Sequence, residues 1–166
     1  MEEYWDLYDE NRVSLNRTHL RGVPLNSGEY HIVIEIWVLT KDGIIITKRQ
    51  EDKPYGNLWE GTGGSILSGE TSLEGAKREL LEEIGLDVDE DELKLFYSIK
   101  SNTSFKDFYY VRKNVNIGEL VLQEEEVSDA KIVSFDELMV MWNNKLMVPT
   151  LYIDNYSKDL LELLNR

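Results

Sequence analysis

The segment from Thr71 to Gly85 carries its own boundaries. Leu73, Ala76, Leu80 and Ile84 recur at steps of three, four and four residues, so they fall on one face of a helix. Thr71 and Glu74 form a capping-box pattern ahead of them, and Gly85 stands where a left-handed terminal residue belongs. An apolar stripe of this kind has to be buried against another layer, and the flanking sequence supplies strands for one. Tyr30 to Thr40, with the run HIVIEIWVLT, is rich in β-branched and aromatic residues; Lys41-Asp42-Gly43 then leads into a second such run, Ile44 to Thr47, predicting a β-hairpin. Leu58 to Ile66 reads as a short strand entering a tight loop, Leu93 to Ile99 and Phe108 to Val115 as two longer strands, and Lys131 to Ser134 as a final short one. Ser134-Phe135-Asp136-Glu137 is a second capping pattern that opens a helix reaching about Trp142, and Leu160 to Leu164 suggests a last helix. Interspersed strands and helices, with no repeat and no low-complexity linker, predict an α/β (α+β) fold with a mixed central sheet sandwiched between helices. Residues 1–28 are expected to be an arm or hairpin packed on a main domain of residues 29–166.

Charge and composition narrow the partners. In 166 residues there are 32 acidic and 18 basic side chains, a formal charge of -14 that repels bulk nucleic acid and anionic membrane surfaces. A small phosphorylated molecule stays open, because bound cations reverse the local sign of an acidic site. There is no cysteine, so thiolate zinc sites and cysteine nucleophiles are excluded. The acidic start, Met1-Glu2-Glu3-Tyr4-Trp5-Asp6, lacks the pattern of a secretion signal, and the apolar runs are too short to span a bilayer. A cytoplasmic protein is expected, with room for a homodimer.

Glu79, Glu82 and Glu83 are spaced to stack on one side of the Thr71–Gly85 helix, away from most of its apolar stripe. Like charges so spaced weaken a helix by a few tenths of a kcal/mol per pair, and a cation would relieve them; hard oxygen ligands select Mg²⁺, Mn²⁺ or Ca²⁺. On the helix alone, a solvated acidic face is the simpler explanation of the pattern.

The flanking residues decide between these readings. From Gly64 the chain runs glycine, five residues, Glu70, seven residues, then Arg78-Glu79-Leu80-Leu81-Glu82-Glu83-Ile84-Gly85-Leu86. This resembles the Nudix box at every defined position (residues 64–86), and a nine-position match is far more specific than a lone glycine motif. The resemblance implies a Nudix-type α/β/α sandwich and a hydrolase that cleaves a pyrophosphate linkage with water. It also implies that Glu79, Glu82 and Glu83 bind Mg²⁺ or Mn²⁺, with the backbone carbonyl of Gly63 as a candidate further ligand and Glu70 and Arg78 in support. Independently of the family, the glycines at 63 and 64 allow a tight loop near the helix start, where backbone N–H groups favour phosphate. Arg78 is placed to clamp a carboxylate through a forked pair.

In many Nudix enzymes the base that takes the proton from water is a glutamate in a later loop. Glu126, at the end of Gln123-Glu124-Glu125-Glu126 and directly before Val127, is the candidate; a solvated acidic loop is the alternative. Arg49 is the candidate phosphate contact, against an ordinary strand end. Trp59 is either a base-stacking surface or a core residue, and Glu35 either a site residue or a polar group at a sheet edge. Tyr8-Asp9-Glu10, Arg21, Gly28-Glu29-Tyr30-His31, Lys48-Arg49 and Trp59-Glu60 resemble the isopentenyl-diphosphate isomerase-like branch of the Nudix group. The isomerases of that branch rely on a cysteine and depart from the intact box, so the resemblance points to hydrolysis; an isomerase-like protein and a non-catalytic binding module are the alternatives. His31 matches a position that is a metal ligand in the isomerases, but reads here as a packing or hydrogen-bonding residue. Asp87 to Glu92 lacks the register of a calcium-binding EF-hand and reads as a solvated turn.

Overall fold

In the computed structural model, which describes residues 1–166, the His31–Thr40 run is a strand buried on both faces. Its even-numbered residues Ile32, Ile34, Ile36 and Val38 enter one apolar cluster, and Trp37 and Leu39 enter another, as the alternation of a strand requires. Two layers must therefore cover it. The chain supplies β1 (Tyr4–Tyr8), β2 (Ser14–Leu20), β3 (His31–Thr40), β4 (Gly43–Arg49), β5 (Trp59–Glu60), β6 (Thr62–Ser65), α1 (Ser72–Ile84), β7 (Lys94–Lys100), β8 (Ser104–Arg112), β9 (Val127–Val133), α2 (Phe135–Asn143) and α3 (Ser157–Leu164).

Seven strands form a sheet in the order β5-β4-β3-β8-β7, with β6 also paired to β3 and β9 to β4. β3 and β8 are parallel and the other pairings antiparallel, so the sheet is mixed. α1 covers one face through Ala76, Leu80 and Ile84; α2 and α3 cover the other through Leu138, Met141, Leu160 and Leu163. The α1 boundaries are those read from the sequence: Thr71 and Glu74 form the reciprocal capping box, and Gly85 closes the helix at φ 69°. A Cβ at Gly85 would lie 2.8 Å from Cβ of Val121, so both the backbone conformation and the packing require glycine there.

Several boundaries differ from expectation. The Leu58–Ile66 segment is two strands, because Gly61 interrupts the pairing and hands the chain from β4 to β3. β8 lies earlier than the 108–115 window, and β9 begins four residues before Lys131. Both shifts follow from partners: β8 is in register with all of β3 from His31 to Leu39, and β9 pairs along β4 from Ile44 to Arg49. No helix is long and apolar enough to cross a membrane.

β1 and β2 form a hairpin outside the main sheet. Leu7 is buried, Tyr8 bridges to Tyr30, and Asp6 accepts hydrogen bonds from Ser68 Oγ and the Gly69 N–H. His31 is buried in a stack on Trp5, with ring centroids 3.9 Å apart; burial, with the charges of Arg21 and His19, lowers its pKa to about 4, so it is neutral at pH 7. At the hairpin turn, Arg12 donates both terminal nitrogens to the buried carboxylate of Asp107 in β8, at 2.8 and 2.5 Å. Ser72 at the start of α1 and Ser98 of β7 donate to the same carboxylate, at 2.6 and 2.7 Å. Burial raises the Asp107 carboxyl, but these three donors outweigh it and hold the group below its ordinary pKa.

Arg12→Ala should therefore cost about 3 kcal/mol at pH 7, the low end for a broken buried pair because Arg12 is one-third exposed. Urea unfolding measures it. The contribution is fully present above the unfolded carboxylate value of about 3.9 and lost as pH falls through the lower folded value, so the gap between wild type and variant should close in acid.

Candidate active site

β6 brings glycine against the acidic side of α1. A Cβ at Gly64 would lie 2.3 Å from the Glu79 carboxylate, and one at Gly63 would meet the Ile34 carbonyl oxygen at 2.3 Å. At position 64 the space left by the absent side chain is taken by Glu79, and at position 63 it is closed by the β3 backbone. Glu83 is buried and accepts a hydrogen bond from the Gly63 N–H at 3.2 Å, whereas the Glu82 side chain is half exposed. The three glutamates thus do not share one solvated face: Glu83 lies in the contact between helix and sheet.

Arg78 organises the others. Its Nε and Nη2 grip Glu70 at 2.7 and 3.0 Å, its Nη1 reaches Glu79 at 2.9 Å and Glu82 at 3.0 Å, and Nη2 also donates to the Ser65 carbonyl. With this guanidinium between them, no three carboxylates meet at a common point as a ready ligand set.

The loop before β9 reaches the site by capping α1. The terminal carbonyls of a helix lack internal partners; here those of Glu83 and Ile84 accept the N–H groups of Gln123 and Val121, at 2.9 and 3.0 Å. That docking carries Glu126 to the cleft rim, where it pairs with Lys53 at 2.5 Å. Arg49 also lines the cleft, donating to Glu60 at 2.6 Å and to the Pro54 carbonyl at 2.7 Å. The resulting cleft, of about 240 Å³, gathers Gly63, Gly64, Arg78, Glu79, Glu82 and Glu83 on one side and Arg49, Gln123 and Glu126 on the other. Glu70 supports from behind, through Arg78.

Trp59 is not among the cleft residues. Consecutive strand residues point to opposite faces; Trp59 packs with the α2/α3 cluster under the Lys131 ammonium, 4.4 Å from its ring centroid, while Glu60 takes the side of Arg49. Glu35 is likewise not at an edge. It is buried in the central strand, paired with Lys106 at 3.0 Å, with its other carboxylate oxygen lacking a partner.

Glu60 and Glu35 extend the acidic cluster beyond the helix. Burial, then the charge of Glu35, raises the Glu60 carboxyl to about 7 against the opposing pull of Arg49. Burial, then Glu79 and Glu60, pushes Glu83 well above the usual range, and burial also raises Glu79 despite Arg78. The signal for Glu60 was its place beside Trp59: a strand that buries the tryptophan on one face must turn the next residue to the other. Arg21 and Glu3, at the open end of the hairpin, also line the cleft; Arg21 stands out only as part of the branch resemblance, and nothing local in the sequence marks Glu3.

The NUDIX domain model matches residues 29–151. An uncharacterised Nudix hydrolase of Listeria monocytogenes is 38% identical over 157 residues, covering 93% of this chain and 92% of its own. Among solved structures, a Deinococcus radiodurans protein has the same fold with a TM-score of 0.74 at 20% identity, covering 88% of this chain and 92% of that one. The NUDIX domain of Shewanella oneidensis NrtR, solved in complex with ADP ribose, has a TM-score of 0.62 at 16% identity, covering 80% and 88%. The chain belongs to the Nudix hydrolase family and is an enzyme of that family.

Two outcomes follow from this geometry. Gly64→Ala should displace the Glu79 carboxylate by about 1 Å and lower turnover by about 100-fold, with little change in melting temperature. Glu60→Gln should raise the melting temperature of the chelator-treated protein more at pH 8 than at pH 5. The sign follows from the raised pKa: between the unfolded glutamate value of about 4.3 and the folded value, the native state holds more protons, so ionisation of Glu60 lowers stability as pH rises.

Proposed function

We propose that this chain hydrolyses the pyrophosphate linkage of a small diphosphate, of the nucleoside diphosphate-X type or related, using Mg²⁺ or Mn²⁺. The observation that carries the reading is the gathering of the buried Glu83 with the largely enclosed Glu79 and Glu60, Glu79 lying against Gly64 and Glu83 against the Gly63 N–H. Their ionised forms are disfavoured by burial and by one another, and a hard divalent cation is what such an oxygen donor set fits. Glu79, Glu82 and Glu83 would hold it, with the Gly63 carbonyl. When bound, the ion would neutralise diphosphate charge and acidify a water.

The protein's own groups divide the remaining work. Arg78 orients Glu79 and Glu82 and fixes Glu70; Arg49, with terminal nitrogen to spare beyond Glu60, binds phosphate. Glu126, across the cleft from the helix, accepts the proton of the attacking water. The ADP ribose bound by the NrtR domain supports a small diphosphate as ligand of this fold. Within the family, the loose motifs outside the box support the isopentenyl-diphosphate isomerase-like branch, and the absence of cysteine supports hydrolysis over isomerisation.

A panel of nucleoside di- and triphosphates, nucleotide sugars, dinucleotides and prenyl diphosphates, scored by product mass, tests the reading. Release should need Mg²⁺ or Mn²⁺ and stop with a chelator; a rate indifferent to metal would sink it. Glu82→Gln should lower turnover by about 100-fold or more while leaving stability unchanged or slightly higher, because like-charge repulsion is relieved. Equal losses of both would count against a ligand role.

A further inference from the structure

Beyond the catalytic floor the cleft opens into a second recess of about 390 Å³, and Glu3, Arg21 and Glu126 line both. Lys53 lies on its wall. Neither chamber is lined by an aromatic ring, and the apolar contribution is limited to Val33 and Leu67 inside and Met1 and Leu20 outside. Small-molecule pockets commonly span about 300–1,000 Å³, so the inner chamber is small on its own and the two together fall within that range.

Two cations in the outer chamber are held by weak, displaceable partners. Arg21 pairs with Glu3, the residue whose carbonyl accepts the Arg21 N–H at the open end of the hairpin, and both side chains are about half exposed. Lys53 pairs with Glu126, about one-third exposed on each side. Ion pairs of this exposure contribute little, whereas a phosphate offers a guanidinium a shorter, forked, fully charged contact. Arg21 lines the inner cleft together with Glu79 as well as the outer recess, so it spans from one towards the other.

We propose that Arg21 and Lys53 form an outer anion subsite, and that the preferred substrates are diphosphates carrying a further phosphate or comparable anionic group on the distal side. A base or prenyl group carried by such a substrate would lie outside these two chambers, which offer it no aromatic ring. Glu3 is then a resident carboxylate that the ligand displaces from Arg21. This deepens the proposed function and rests on it.

The test is equilibrium binding of the methylene analogues of pyrophosphate and tripolyphosphate, which are not hydrolysed, to the full chain with Mg²⁺. The third phosphate should strengthen binding to wild type by about tenfold, Arg21→Ala should remove most of that preference, and Glu3→Gln should increase it. The opposite signs separate a ligand site from a structural strap, for which both variants would weaken the hairpin alike. If Arg21→Ala lowers the melting temperature sharply, Lys53→Met provides the second reading and should also reduce the preference. Equal binding of the two analogues, or a ratio unmoved by these variants, overturns the subsite while leaving the proposed hydrolysis intact. Binding of neither analogue overturns both.

Discussion

The Glu79 carboxylate occupies the volume that a side chain at position 64 would fill, and the rest of the site is arranged around that contact. A helix normally turns its acidic residues to water. Here the glycine pair of β6 lies against α1, so Glu79 and Glu83 sit at the layer interface and remain close to the cleft. Burial raises the cost of their charge, and the surroundings answer with Arg78 from the same helix, Arg49 from β4 and the Gly63 N–H from β6. The arrangement is only partly neutralised, and the carboxyls of Glu79 and Glu83 stay raised above the ordinary range.

The same economy of placement explains the long-range parts. α1 ends with carbonyls that need donors, and the Val121–Val127 loop supplies two of them; in doing so it delivers Glu126 to the opposite rim. β3 shares one edge between β6 and β4, and that division sets Glu60 and Arg49 beside the helix rather than along a continuous ladder. The N-terminal hairpin is tied to the same framework through Asp107, whose carboxylate joins the hairpin turn, the start of α1 and β7 at one buried point. Hairpin position and helix position are therefore coupled, and Arg21 reaches the cleft as part of that unit.

Much of this was legible locally. The α1 segment could be read to its caps because a capping box, an apolar stripe and a left-handed glycine all act within a few residues. The strands were recognisable by composition, but the starts of β8 and β9 were not, since a strand extends as far as its partner does and the partner is distant in sequence. Trp59 shows the same limit: stacking surface and core residue have identical local sequence, and only the pairing of Lys48 with Trp59 decides which face it takes. Glu35 looked like an oddity in an apolar strand until β8 placed Lys106 beside it.

The order of residues by itself determined a mixed sheet between helices, the limits of the central helix, the glycine-to-glutamate spacing and the absence of thiol chemistry. These depend on short-range geometry and on which atoms are present. Tertiary structure alone decided that Glu83 is buried and Glu82 is not, that Glu60 and Arg49 join the acidic cluster, that Trp59 leaves it, and that Glu3 and Arg21 line its outer end. Those facts depend on which strands pair and where a loop finds its hydrogen-bond partners, and no local pattern encodes a contact between residues so far apart in the chain.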